Sequence, residues 1–176
     1  MKKVLLLLLI SAAVAVGQTQ PFQLKVGYVD SETILAQYPA AIKAKSDLEA
    51  LVSKWRQQVD SMTADLQQAY TEFQKQAQTM TPDKQKEAQQ KLVEKDQKIQ
   101  QFREQKFSQP NGEYFLRQEQ LMAPVKEKVF EAIEQIAKEE GMHYVLDKAG
   151  DVVVLYADPQ FDITFKVLDL LKRGKK

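Results

Sequence analysis

Apolar side chains recur with the period of a coiled coil along the middle of this chain. Residues 40–140 hold few turn signals and are rich in Gln, Lys, Glu and Ala, which is typical of long helices. From position 48, alternating steps of four and three residues meet apolar side chains at nine of ten places, and the ten are Leu48, Val52, Trp55, Val59, Met62, Leu66, Ala69, Phe73, Gln76 and Met80. A repeat sustained over three to four heptads predicts a long helix with a coiled-coil seam.

The segment TMTPDK, residues 79–84, carries the signals of a new helix start inside this pattern. Thr81 can cap the next helix through its hydroxyl, Pro82 suits the first helical position, and Asp83 suits the positive end of the helix dipole. The chain is therefore predicted to turn at about 79–82 and to form an antiparallel hairpin of two helices, residues 40–79 and 82–109. Forty helical residues would make an arm about 60 Å long.

The returning helix holds fewer apolar residues and then breaks. Its seam candidates are Ala88, Leu92, Lys95, Ile99 and Phe102. Pro110 removes a backbone donor and Gly112 weakens a helix, so a kink or short loop is predicted between arm and body. Residues 40–112 are thus assigned to a coiled-coil-like arm. Helix resumes at about 113–140 along an apolar stripe, and Gly141 suits the position that ends it.

Short β runs mark the two ends of the chain. Strands are predicted at about 24–30, 143–147 and 152–157, and the last two, which follow each other across a turn, are predicted to form a hairpin. Val145 and Asp147 lie in the second strand, and Asp162 can cap a final helix. Residues 18–39 and 113–176 are assigned to one body. The fold class is mainly α, with a long antiparallel helical hairpin projecting from a small β association domain.

A cluster of acids and a hydroxyl follows the first strand, which includes Tyr28 and Val29. Either Asp30 or Ser31 can accept hydrogen bonds from the first turn of the next helix, and Glu32 suits its positive end. No histidine or lysine at catalytic spacing accompanies them, so a capping role is favoured over catalysis. Two further residues complete this junction. Ile34 is expected to turn into the body, and Pro39 is expected to stop the short helix.

The predicted body is small, has open strand edges and lacks disulfides, since the chain has no cysteine. Open aliphatic edges pair readily with other chains, and a small body that carries a long arm gains stability from assembly. A homo-oligomer assembled through the strands is therefore expected.

The first residues have the pattern of a secretory signal. Lys2 and Lys3 precede an apolar run of 13 residues, 4–16, which is too short to span a bilayer, and Gly17 follows at a small-residue cleavage site. A signal peptide over residues 1–17, cleaved near Gly17, predicts export to the periplasm. Its removal leaves 23 basic and 24 acidic residues, from 25 and 24 in the full chain.

This near-neutral balance gives no global field that would attract nucleic acid. The catalytic inventory is short as well, because His143 is the single histidine and there is no GxSxG, P-loop or dinucleotide motif. No enzyme activity, metal or cofactor is predicted.

Lysines are concentrated after the arm turn, and residues 82–109 hold seven basic and five acidic side chains. The candidate contact residues are Lys84, Lys91, Lys95 and Lys98. They form either a diffuse contact for acidic clients or lipid head groups, or a solvated surface with no binding role.

Three motifs in order carry a family resemblance: GYVDSETILAQYP, AIEQIAKEEGMHYVLDKAG and DITFKVLDLL. With the hairpin between them, the chain resembles the Skp/OmpH family of periplasmic chaperones over nearly all of its mature length. The resemblance implies a homotrimer whose strands form a small barrel-like core, with three arms around a cavity. It implies a holdase that works without ATP on unfolded outer-membrane proteins. The chain departs from the strongly basic members of the family in its charge, and its arm is interrupted at Pro110.

Two other functions fit parts of the pattern. A periplasmic coiled-coil structural or adaptor protein, which bridges envelope components, would share the signal peptide and the hairpin. It would need rigid, well-paired arms, whereas the returning helix is rich in Gln and Lys. A nucleic-acid or membrane-surface binder would need a stronger positive charge than this chain has.

Overall fold

The computed structural model describes residues 23–150 and 153–174, and the predicted signal peptide lies outside these residues. Within them the chain forms two strands and five α-helices, in the order β1 (Val26–Val29), α1 (Ser31–Gln37), α2 (Pro39–Gln76), α3 (Pro82–Phe107), α4 (Glu113–Glu139), β2 (Tyr144–Asp147) and α5 (Thr164–Arg173). The protein is thus mainly helical with a small sheet. None of the helices in the described ranges is both long and apolar enough to cross a membrane.

Helix α2 is the spine of the arm. Its 38 residues span about 57 Å, and it packs against two other helices in turn. Near the body α2 lies against α4, where Ala44 and Val125 belong to one cluster. Farther out α2 lies against α3, where Phe73 and Leu92 line the same groove. A 3₁₀ turn at Ala77–Thr79 reverses the chain between α2 and α3.

The sheet joins the two ends of the chain in parallel. Val26 pairs with Tyr144 and Val29 with Asp147, so β1 and β2 share a continuous register. The predicted hairpin of 143–147 with 152–157 is wrong, because β2 pairs with β1 and residues 153–157 form no strand. Residue 152 lies outside the described residues.

Packing explains why the strand propensity of VVVLYA does not decide the pairing. The β1–β2 pair places Val29 and Val145 against the helices, where the body core forms. A two-stranded hairpin without such a covered face is marginal in water. After β2 the chain turns, since the Ala149 N–H donates to Asp147 Oδ1 at 3.0 Å. It then leaves the side chains of Val153, Leu155 and Tyr156 exposed.

The body core lies between the sheet and three helices. Its buried members come from β1, α1, α4 and the start of α5, and they are Val29, Ile34, Val129, Ala132, Ile136, Ile163 and Val167. A second, smaller cluster of Ala41, Ala44 and Val125 continues from it into the base of the arm. The core is therefore built from both ends of the sequence, with the whole arm inserted between them.

Two helix ends were predicted from the sequence with different outcomes. Gly141 has φ of +64° and follows α4, as predicted. The Met142 N–H donates to the Ala137 carbonyl at 2.8 Å, and the Gly141 N–H donates to the Lys138 carbonyl at 3.2 Å, which together form a Schellman end. Thr81 does occupy the cap position of α3, but the predicted hydroxyl cap is wrong, because its side chain makes no capping hydrogen bond there.

Candidate functional site

The acidic stretch after β1 fixes the start of α1. Asp30 is the N-cap, and its carboxylate accepts the Thr33 N–H at 2.8 Å. Ser31 instead holds β2, because its hydroxyl donates to Asp147 Oδ2 at 2.5 Å and its N–H donates to Asp147 Oδ1 at 3.1 Å. Partial burial raises the pKa of Asp147, but the hydrogen bonds from Ser31 and Ala149 outweigh this and lower the pKa below its ordinary value.

A second set of hydrogen bonds ties β1 to α5. The Asp30 N–H donates to Thr164 Oγ1 at 2.9 Å, and the Ile163 N–H donates to the Tyr28 carbonyl at 3.0 Å. Helix α5 begins at Thr164, whose N–H donates to the Asp162 carboxylate at 2.9 Å. Desolvation raises the pKa of the Tyr28 hydroxyl, and the charge and hydrogen bond of Asp162 raise it further. These polar groups therefore hold β1 and α5 together within the body.

Most of the side chains that suggested chemistry make structural contacts. His143 Nδ1 accepts the Lys25 N–H at 3.0 Å, and the His143 N–H donates to the Lys25 carbonyl at 2.8 Å. Among residues 23–150 and 153–174, no group of three His, Asp or Glu side chains is placed to hold a metal ion. Glu32 lies exposed in the first turn of α1. The hydrogen bonds of Asp30, Ser31 and His143 thus support the body.

The body exposes large apolar side chains on its sheet and on the segment that follows β2. We call these six side chains the outer body surface: Val26, Tyr144, Leu146, Val153, Leu155 and Tyr156. The first three lie on the exposed face of the sheet, and the last three follow β2. Leu155 is 94% exposed. Large apolar side chains exposed on a small body make these residues a candidate contact surface.

The arm seam includes buried residues as far as Val59 and is at most half-buried beyond it. Trp55 and Val59 are buried, whereas Val52, Met62, Leu66 and Phe73 are only half-buried. On α3 the single buried residue is Ile99. Beyond Val59 the described part of the arm therefore holds its helices together by partial contacts.

Two open grooves follow the arm. The larger, of about 1050 Å³, runs between α2 and α4 from Leu35 to Asp60, with Leu48 and Met122 in its lining and charged side chains of both signs along it. The smaller, of about 540 Å³, lies in the outer part of the arm, between the end of α2 and the first half of α3. It is lined by Tyr70, Phe73, Gln89, Leu92, Val93 and Asp96.

The smaller groove includes apolar residues that the heptad did not select. Tyr70 and Val93 are exposed beside the seam residues Ala69 and Leu92. In the sequence, each of these two residues is a large apolar side chain directly after a seam residue. That pattern would have identified them. The groove offers extended apolar contact area in the outer part of the arm.

The four lysines selected from the sequence lie on one face of α3. Their spacing of 7, 4 and 3 residues places them within about 60° of arc, next to the seam, and all are exposed: Lys84, Lys91, Lys95 and Lys98. Lys91 pairs with Glu87 at 2.7 Å, and this hydrogen bond raises the pKa of Lys91 and lowers that of Glu87. The stripe is continuous but partly neutralised by its neighbours.

Comparisons with known proteins agree on one family. The family described as outer membrane protein (OmpH-like) matches residues 25–171. A crystal structure from Caulobacter crescentus, described as a candidate outer membrane chaperone (OmpH-like), superposes with a TM-score of 0.75 at 16% identity and covers 87% of this chain and 86% of its own. At 16% identity this similarity shows a shared fold and nothing further. No protein with curated functional information matches the chain.

Proposed function

The chain belongs to the family of OmpH-like outer membrane proteins, and on that premise we propose that it is an ATP-independent holdase chaperone of the periplasm. It would enclose unfolded outer-membrane proteins between helical arms and prevent their aggregation. The observation that carries this proposal is the incomplete burial of the arm beyond Val59, which leaves apolar seam and groove side chains available for contact. The Caulobacter protein of the same fold is described as a candidate chaperone.

The proposed mechanism uses many weak contacts. Half-exposed side chains such as Tyr70, Phe73 and Val93 can each contact an apolar client segment without fixing its conformation. Several such contacts on several arms raise the effective concentration of each one, so that the client is held while individual contacts exchange. The lysine stripe on α3 would add attraction for acidic client segments or lipid head groups.

The protein is proposed to act as a homotrimer with a barrel-like core. The outer body surface supports this, because a monomer would leave Tyr144, Leu146 and Leu155 in water. Burying one such side chain contributes about 1.5–3 kcal/mol, and each subunit would bury several.

Replacing Leu155 with Asp tests the assembly. Because the Leu155 side chain is 94% exposed in one subunit, L155D should keep its helix content and sediment as a monomer where the parent chain sediments as a trimer. The matched control is L116D, at an exposed leucine of α4 outside the outer body surface, which should remain trimeric. An L155D variant that assembles like the parent chain would contradict this interface.

The chaperone function is tested by dilution of a urea-unfolded β-barrel protein into buffer. A stoichiometric amount of trimer should suppress its light scattering without nucleotide. The double variant Tyr70→Ser and Val93→Ser should protect less than the parent chain, whereas Ile42→Ser, at an exposed apolar position near the body, should protect fully. Absence of protection by the parent trimer would favour the structural or adaptor function.

A further inference from the structure

The returning side of the arm is broken where the outgoing side is continuous. Helix α3 ends at Phe107 and α4 begins at Glu113, while α2 passes this level at Trp55 without interruption. The loop between them is closed by the Gly112 N–H, which donates to the Ser108 carbonyl at 2.7 Å. A Cβ on Gly112 would lie 2.6 Å from that carbonyl oxygen, so a larger residue would force the loop apart.

Trp55 is the buried aromatic residue at this level. The Phe107 ring packs edge-on against it, with ring centroids 5.9 Å apart and an angle of 80° between the planes. The Lys106 ammonium lies 5.1 Å from the centre of the Trp55 ring and 5.4 Å from that of Phe102. A cation that faces two aromatic rings is attracted by both, and more strongly where water is excluded.

The same ammonium crosses the break. Lys106 in the last turn of α3 forms an ion pair with Glu113 in the first turn of α4, and Arg117 lies 3.6 Å from the other Glu113 oxygen. Each charge suits the dipole of the helix end that carries it. The side chains are 19% and 33% exposed, whereas the Lys91–Glu87 pair on the outer arm is 67% and 64% exposed. The pair at the break is therefore the less screened of the two.

We infer that Trp55, Lys106 and Glu113 form a pin that sets how far the arm bends at the break. Because α2 is a continuous spine, bending toward it must widen the gap between α3 and α4. That movement separates Lys106 from Glu113 and withdraws the ammonium from the Trp55 ring. Bending the other way leaves the pair closed. The arm is thus stiffer in one direction, and in a holdase this would limit the width of the cage.

The link to cage width rests on the proposed function, but the bending does not, and it can be measured without a client. Because the chain has no cysteine, Gln78→Cys at the arm tip and Lys172→Cys on α5 provide two unique sites for spin labels. Labelled chains diluted with an excess of unlabelled chains then report the tip-to-body distance within one subunit.

Two single variants, their double variant and one control decide the question. K106M keeps the aliphatic stem on the aromatic rings but removes the charge, and E113Q removes the opposite charge. Both should give a wider distance distribution than the parent chain, and the double variant should be no wider than either one, since each removes the same pair. The control K91M, at the exposed pair of the outer arm, should leave the distribution unchanged. Unchanged distributions in K106M and E113Q, or equal widening in K91M, would overturn the pin.

Discussion

The body and the arm are made from the same chain by opposite rules of packing. In the body Ile34 and Val167 are fully buried, and Val29 and Ile163 nearly so. In the arm beyond Val59 the seam is half-exposed, and the 26 residues of α3 contain one buried side chain. The body therefore completes its contacts within one subunit on its inner side, whereas the arm leaves most of its apolar contacts incomplete.

The difference in burial indicates that the body contributes more to the stability of the fold than the outer arm does. Full burial of an aliphatic side chain contributes about 1.5–3 kcal/mol, and half-burial contributes correspondingly less. Regions with few buried apolar contacts open locally at a lower free energy than the core does. We expect the outer arm to exchange its amide hydrogens faster than the body. A surface that is to receive varied partners gains from this, because its own contacts are easily replaced.

The largest contrast should come from truncating one apolar side chain in each region. Ile34→Ala leaves a cavity in the body core and should lower the free energy of unfolding by about 2–5 kcal/mol. Leu66→Ala removes a half-exposed seam residue and should cost less than about 1.5 kcal/mol. Urea unfolding at one fixed protein concentration measures both. Equal losses would show that the arm seam is packed as tightly as the core.

A smaller contrast lies in the two helix caps. Asp30→Ala removes the carboxylate that accepts the Thr33 N–H and should cost about 1 kcal/mol. Thr81→Ala should leave stability unchanged, since the Thr81 side chain makes no capping bond to α3. Thermal unfolding of both variants, with circular dichroism to follow helix content, compares them. A loss in T81A as large as in D30A would mean that the arm turn is capped in solution.

The smallest contrast is the pH dependence of stability at two carboxylates, Asp147 in the body and Glu87 in the arm. The pKa of Asp147 is lowered in the folded protein, so its contribution to stability is present above its ordinary value of 3.8 and is lost as the pH falls through the lowered pKa. The stability gap between the parent chain and Asp147→Asn should therefore be full at pH 7 and close below pH 3.8. The control Glu87→Gln, at the exposed arm pair, should show almost no gap at either pH. A gap for D147N that persists in acid would contradict the role of the carboxylate.

Local patterns predicted the arm well and the body connections poorly. The heptad from Leu48 and the signals at Pro82 and Gly141 concern neighbours within a few residues, and the structure has long helices with ends near these positions. The pairing of β1 with β2 joins residues 118 apart, so it depends on the helices that cover the inner face of the sheet. Strand propensity at 152–157 could not reveal that Val145 would gain more from packing beside Val29.

Side-chain roles escaped prediction for a related reason. Asp30 and Ser31 are both able to cap a helix, and only the position of Asp147 assigns Ser31 to β2. Lys106 and Glu113 lie on two different helices, so their contact depends on the loop between them and not on the spacing pattern of either helix. Trp55 was expected in the seam, but nothing in its spacing indicated the ammonium that faces it.

The parallel pairing of β1 and β2 has an evolutionary consequence. Everything between Val29 and Tyr144 is one crossover connection, and a parallel pair requires only a dozen or so residues for that purpose. Because the outgoing and returning helices run side by side, the chain comes back to its starting point whatever their length. Loop closure costs about 0.6 kcal/mol more per doubling of length. Matched heptads can therefore be gained or lost from α2 and α3 over generations, and the reach of the arm can diversify while the body stays the same.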